Sequence, residues 1–168
     1  MEYKIISMDF DGTLLTSNKR ITDKTKKTLL KYKKNNYFII GVTSRVLASV
    51  KEVCDLNMFD YLILNNGAYI YDVKTKEIIK SFYIDREIVL DITKYFKEIA
   101  EEIDYCTLNK YYIYKKKVEK KLDFLVQING LDEVKEQIGK INIFINNNID
   151  KYKEYIENTF EKIDVIFM

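Results

Sequence analysis

The sequence predicts an α/β fold: a Rossmann-like parallel core over residues 1–81, then an α+β module over residues 82–168. Three observations predict it. Three short, β-rich apolar runs, Lys4–Met8, Tyr37–Val42 and Tyr61–Leu64, each stop abruptly at a polar cluster. Helical patterns separate them, and strand–helix–strand–helix–strand implies parallel pairing through right-handed crossovers. From Ala68 onward the period changes, first to a hairpin and then to mixed strands and helices.

In chain order, the first run reads as a buried strand that ends at Asp9-Phe10-Asp11-Gly12-Thr13-Leu14-Leu15. A polar loop follows to Arg20. Thr22 is the expected N-cap of a helix, with Asp23 near the positive end of its dipole and Ile21, Leu29 and Leu30 as its thin apolar face. Its many lysines read as a solvated face, because no aromatic platform accompanies them. Asn35-Asn36 ends it. The second strand runs to Thr43-Ser44-Arg45, and a helix with Val46, Val50 and Val53 on one face comes next. Helix-start N–H groups and the Thr43 and Ser44 hydroxyls would converge on an anion there, although either hydroxyl could instead serve only as the helix N-cap. The third strand ends at Asn65-Asn66-Gly67. All three clusters thus sit at strand C-termini, where open α/β sheets bind ligands.

Tyr69–Tyr71 and Ile78–Ile84 read as a hairpin around a polar turn. Asp85 opens a helix whose apolar positions Ile88, Ile92, Tyr95, Phe96, Ile99 and Ile103 keep helical spacing. Strands are expected near Lys110–Tyr114, Leu122–Gln127 and Ile141–Ile145, and a closing one at Asp164–Met168. Leu131, Val134 and Ile138 mark a short helix, and Tyr152, Tyr155, Ile156, Phe160 and Ile163 another. Antiparallel strands with helices on one face make this half α+β. No Gly/Ser linker marks the boundary near Ser81.

Composition narrows the function. With 28 basic and 26 acidic residues the net charge is +2, which gives no electrostatic case for nucleic-acid or membrane binding. The absence of His excludes a Ser-His or Cys-His nucleophile, and Cys54 and Cys106 lack metal-ligand spacing. Neither a signal peptide nor a membrane-spanning run is recognisable, so a cytoplasmic setting is expected.

The opening cluster carries the chemistry. Strand residues i and i+2 share a face, so Asp9 and Asp11 point together while Phe10 points away. Two carboxylates roughly 5–6 Å apart at an effective dielectric near 20 repel by about 3 kcal/mol. Either one holds a proton, giving a nucleophile beside a general acid, or a hard cation such as Mg²⁺ sits beside them. Gly12 lets the chain turn sharply and bring its N–H to an anion. The bland alternative is an Asp-Gly hairpin, but alternating residues do not follow Gly12; a polar loop and a helical pattern do.

Asp9-Phe10-Asp11-Gly12-Thr13-Leu14 resembles the DxDGT[LV] signature of the haloacid dehalogenase superfamily. Asn18-Lys19-Arg20-Ile21-Thr22, Val42-Thr43-Ser44-Arg45 and Asn65-Asn66-Gly67-Ala68 are similar to segments of its Cof-like branch, in the same order. The resemblance implies a Mg²⁺-dependent phosphatase acting on a small phosphorylated metabolite. Asp9 would be the nucleophile and Asp11 the general acid and base. Asp9 and Asp11 would hold the metal, the latter through its carbonyl. Backbone groups of Phe10 and Gly12, with Thr43 and Ser44, would hold the phosphoryl group, and Arg45 and Asn66 would lie on the substrate side. The module over residues 82–168 would be the cap that selects the substrate, which the sequence does not name. A phosphomutase shares the signature and stays open as an alternative, as does a catalytically incomplete binding or partner-dependent protein.

The family's later motifs, a phosphate-binding Lys and a G-D-x-x-N-D loop, do not occur in the chain. The core is therefore expected to be incomplete, with the first strand's outer edge open. The chain alone is expected to be a weak enzyme, either self-associating or lacking a C-terminal core segment.

Overall fold

Strand β1 (Ile5–Asp9) pairs in parallel with β2 (Phe38–Val42), and β2 in parallel with β3 (Tyr61–Leu64). These three come from the Ile-rich runs, whose branched side chains suit a pleated surface. The computed structural model describes residues 4–146 and 149–160. The chain divides into two compact units, the first made of Met1–Phe82 and Leu108–Lys110, the second of Tyr83–Thr107 and Tyr111–Met168.

In the first unit, β4 (Tyr69–Asp72) and β5 (Glu77–Ser81) complete a five-stranded sheet of order β1-β2-β3-β4-β5. Both run antiparallel to their neighbours. The turn between them is closed by Asp72, whose Oδ1 accepts from the backbone of Lys74 at 2.8 Å and Thr75 at 3.0 Å. Helix α1 (Asp23–Lys34) is capped as its sequence predicts, the Thr22 hydroxyl accepting from Thr25 N at 3.1 Å. Asn36, with φ 62°, takes the left-handed turn into β2 that asparagine tolerates.

The expectation that β1 is buried is not met. Its residues alternate between exposed and half-buried, and Ile5 is 57% exposed, because β1 lies at the end of the sheet order. Burial starts one residue past the strand. Phe10 is fully buried and its ring stacks on Phe59 at 5.3 Å. Gly41 makes room for it: a Cβ there would lie 2.6 Å from Phe10 Cε2 and 2.9 Å from Leu62 Cδ2.

The second unit holds a four-stranded sheet of order β8-β7-β6-β9, formed by β6 (Glu102–Cys106), β7 (Tyr111–Tyr114), β8 (Leu125–Ile128) and β9 (Lys140–Phe144). Helices α3 (Arg86–Phe96) and α4 (Ile149–Thr159) cover one face. Their contact is aromatic, with Tyr95 stacked on Tyr155 at 3.7 Å and Phe96 edge-on to Tyr152 at 5.5 Å. Three expectations need correction. The helix after Asp85 stops at Phe96, and Ile103 belongs to β6; with Ile99 it only continued the helical spacing along the sequence. Leu131–Glu133 forms only a 3₁₀ turn. The sheet is not wholly antiparallel: the loop over residues 115–124 returns the chain far enough for β8 to run parallel to β7. The expected closing strand, Asp164–Met168, lies outside the described residues.

Alternation along β6 sends Ile103 and Tyr105 to the helices and Glu102, Asp104 and Cys106 to the other face. Asp104 is 7% exposed, and burial, with the charge of Glu102 beside it, raises its carboxyl from 3.8 to about 7. Asn142 Nδ2 donates to its Oδ2 at 3.4 Å, and Lys116 pairs with Glu102 at 2.6 Å.

Two measurements check these packings. Gly41→Ala should destabilise the first unit by about 1–3 kcal/mol in denaturant titrations, because the Phe10 ring has no room to retreat. Folded Asp104 binds its proton more tightly than the unfolded chain does, so its contribution to stability falls as pH rises from 4 to 7. The isosteric Asp104→Asn lacks that titration and should gain on the wild type progressively between pH 4 and 7 in thermal melts; parallel pH profiles for the two would refute the assignment.

Candidate active site

The register of the first sheet sets Asp9 opposite Val42, and Val42 opposite Ile63. The three parallel strands therefore end level, and the polar residues that follow them emerge at one edge of the sheet. Backbone hydrogen bonds then tie these ends together. Thr43 N donates to Ile63 O at 2.9 Å, Asn65 N to Arg45 O at 3.2 Å and Asn66 N to Thr43 O at 3.2 Å.

After β1 the chain turns at once. Gly12 has φ 81°, a left-handed conformation that glycine adopts without cost. Leu14 N donates to Asp9 O at 3.2 Å and Leu15 N to Phe10 O at 2.8 Å, which folds Asp11 and Gly12 outward over the buried leucines. Phe10 anchors this turn in the core, so of the two carboxylates on either side of it neither can swing inward. Asp9 is exposed, and among the described residues no group is paired with its carboxylate.

Asp11 is in the opposite condition. Arg45 Nε donates to its Oδ2 at 2.7 Å and Arg45 Nη2 to its Oδ1 at 2.8 Å, a two-point fork. Lys19 Nζ lies 2.7 Å from the same Oδ1. The Arg45 hydrogen bond, helped by Lys19, holds the Asp11 carboxyl well below the usual carboxylate range. Arg45 is braced in turn, with Nη1 donating to Ser49 Oγ at 3.0 Å and its backbone N to Thr43 Oγ1 at 3.2 Å.

Thr43 is 3% exposed and Ser44 half-buried at the end of β2. Neither caps the following helix α2 (Leu47–Val53): the N-cap is Val46, without a side-chain bond, and Leu47 N donates to Leu108 O at 2.8 Å. A short helix with its first amide so engaged offers little to an anion, so the expected convergence reduces to hydroxyls and loop amides. Asn65 and Asn66 both hold positive φ, 52° and 57°, and Gly67 follows at 101°. This leaves Asn65 buried and Asn66 exposed at the sheet edge.

The edge thus brings together Asp9, Asp11, Gly12, Thr43, Ser44, Arg45 and Asn66, all legible in the sequence, while Phe10 contributes backbone only. Sequence reasoning missed Lys19. It stood inside the motif-bearing loop Asn18-Lys19-Arg20, but nothing in the spacing announced that its side chain folds back eight residues to Asp11.

A family model of the haloacid dehalogenase-like hydrolases matches residues 6–167. The chain belongs to that family. Among curated proteins, a protein of Buchnera aphidicola (subsp. Schizaphis graminum) with a provisional phosphatase name is 31% identical over 93 residues, 55% of this chain and 34% of the relative. The 5-amino-6-(5-phospho-D-ribitylamino)uracil phosphatase YcsE of Bacillus subtilis is 30% identical over 73 residues, 43% of this chain and 29% of YcsE. The matching stretches thus span about a third of these relatives. Among solved structures, a haloacid dehalogenase-like hydrolase from Bacteroides thetaiotaomicron superposes with a TM-score of 0.76 at 19% identity, covering 99% of this chain and 68% of that one. The subclass IIB sugar phosphatase BT4131 gives 0.70 at 24% identity, covering 92% and 62%. Those likenesses agree with the α/β architecture, a Rossmann-like parallel core piece with an α+β unit. Among the described residues no helix is long and apolar enough to cross a membrane.

The family implies Mg²⁺, and the donor set fits it sparingly. No group of three or more His, Cys, Asp or Glu side chains that could hold a metal occurs among the described residues. Both Asp11 carboxylate oxygens are engaged by cations, which leaves the Asp9 carboxylate and the expected Asp11 backbone carbonyl. Mg²⁺ takes one or two carboxylates alongside substrate phosphate and several waters, so these residues suit a weak site completed by substrate.

Arg45→Met should return the Asp11 carboxyl toward its ordinary range, since the largest lowering influence is removed. A ¹³C titration of labelled aspartates checks it; an Asp11 resonance still ionised at the lowest attainable pH would mean that Arg45 is not what holds it.

Proposed function

We propose that this chain carries the phosphoryl-transfer half of a phosphatase acting on a small phosphorylated metabolite. Residues 1–81 would perform the chemistry and residues 82–168 would choose the substrate. One observation carries the reading: the parallel register delivers a free carboxylate, Asp9, to the sheet edge at which Thr43, Arg45 and Asn66 also emerge. Phosphoryl chemistry asks for that combination of an anionic nucleophile and preorganised donors. Membership of a hydrolase family supports it, and the phosphatase names of YcsE and BT4131 point the same way.

In the proposed reaction an Asp9 oxygen attacks phosphorus, and the bond from phosphorus to the ester oxygen breaks. Asp11, once released from Arg45 and Lys19 and protonated, gives that proton to the departing oxygen. Asp11 then takes a proton from water as the water oxygen attacks the aspartyl-phosphate, which frees orthophosphate and restores Asp9. The Phe10 and Gly12 amides, with Thr43 and Ser44, would hold the phosphoryl oxygens, and Asn66 would meet the rest of the substrate. Held by the Asp9 carboxylate and the Asp11 carbonyl, Mg²⁺ would supply charge neutralisation of the phosphoryl oxygens. Two free thiols, Cys54 and Cys106, accord with a reducing, cytoplasmic setting.

The pairing of Asp11 favours a second reading. A carboxylate whose two oxygens are held by Arg45 and Lys19 is a poor proton donor, so the chain alone could bind phosphate without turning substrate over.

Asp9→Asn decides between them. Removing the attacking charge should abolish hydrolysis of p-nitrophenyl phosphate while leaving inorganic phosphate binding in place. If wild-type and Asp9→Asn chains hydrolyse it equally, the nucleophile is misassigned; if neither does so at any Mg²⁺ concentration, the binding reading stands.

A further inference from the structure

Lys19 is a long side chain in a conformation it should avoid. Its φ is 55°, in the left-handed region, where a residue other than Gly or Asn is held only by its surroundings. A small ring of bonds does the holding. Lys19 N donates to Thr16 O at 2.8 Å, Thr16 N to Arg20 O at 2.9 Å, Thr16 Oγ1 to Arg20 O at 2.9 Å and Arg20 N to Thr16 Oγ1 at 3.3 Å. The result is that Nζ, carried by a loop, lands on the carboxylate of Asp11.

The charge there is out of balance. Two cations, Lys19 and Arg45, share one carboxylate, and both engage the same oxygen, Oδ1. The outer side of the assembly is open to water, with the Lys19 side chain 58% exposed and that of Asp11 37%, while Arg45 beneath is 18% exposed. The exposed Lys19–Asp11 pair is held weakly, and the Arg45 fork is reachable from its Asp11 side. Asp11 is therefore a displaceable occupant, and an anion with more charge and more oxygens competes well for both cations. A phosphoryl dianion has both properties: the guanidinium fork takes two of its oxygens and the compact ammonium a third.

We propose that Lys19 and Arg45 form a phosphoryl-binding clamp for which the Asp11 carboxylate is the resting occupant. The arriving phosphoryl group takes over both cations and leaves Asp11 released. Lys19 thereby becomes the lysine that meets the substrate phosphate, supplied from the loop directly after the aspartate cluster. This rests on the phosphatase reading for its biological sense, but the clamp itself is tested by binding alone.

The experiment measures orthophosphate binding to the full chain at pH 7.5, in EDTA, by calorimetry. Lys19→Gly removes the cation and also relieves the backbone, so it keeps the loop folded. It should weaken phosphate binding by about 10- to 100-fold, the loss expected for one charge-assisted bond, while Lys19→Arg stays close to wild type. Asp11→Asn should tighten phosphate binding, because the resident anion is gone, and adding Lys19→Gly to it should erase that gain. A Lys19 that only shaped the loop would produce neither the rescue by arginine nor the tightening. Wild-type affinity in Lys19→Gly, or no phosphate binding by the wild type, overturns the clamp. p-Nitrophenyl phosphate hydrolysis is followed in parallel. Lys19-dependent binding without turnover would sink the phosphatase reading and leave the clamp standing; Asp9-dependent turnover with Lys19-independent binding would do the reverse.

Discussion

Arg45 closes the edge of the first sheet. Its guanidinium reaches from the loop after β2 to the carboxylate after β1, its backbone N–H binds the Thr43 hydroxyl, and its carbonyl receives the N–H of Asn65 after β3. The ends of the three parallel strands therefore meet at one residue. Two acidic residues flanking a buried phenylalanine would otherwise repel one another at that edge. With Arg45 and Lys19 on Asp11, only Asp9 presents an unpaired carboxylate, and the two aspartates become chemically distinct before any ligand arrives.

That distinction depends on packing below it. Phe10 is anchored against Phe59 because Gly41 leaves its ring room to cross β2. The anchor fixes which way the neighbouring carboxylates face, so a core contact sets the geometry of the charged edge. β1 itself contributes little burial. It pairs with β2 on one side, and among the described residues no strand pairs with the other, while its Ile5 remains 57% exposed. An apolar edge of that kind favours pairing with further chain. The second unit is built the other way round, with β6 central, flanked on both sides and buried along its whole length.

Much of this was legible in advance because the signals are local. The Thr22 cap, the Asn35-Asn36 stop and the Asp72–Glu77 turn follow from side chains that bond their own backbone. The misreadings share a cause: short-range pattern was asked to decide a long-range matter. Ile99 and Ile103 continue a helical spacing by coincidence, and only the pairing of Ile103 with Tyr114 and Ile143 makes it a strand residue. Leu131 and Val134 are buried as expected, yet a 3₁₀ turn suffices to bury them. Apolar content made β1 look interior, whereas burial depends on how many neighbours a strand acquires.

The sequence by itself determined the α/β class, the family, and the residue types at the ends of the three parallel strands. These depend on periodicity, on β-branched content and on motifs a few residues long, all of which are local. Only the tertiary structure decided what the aspartates do for one another. Which carboxylate is free and which is held depends on a guanidinium 34 residues away and on an ammonium carried back by a left-handed turn at Lys19. Charge interactions act through space, and no spacing along the chain encodes the distance at which two side chains finally meet.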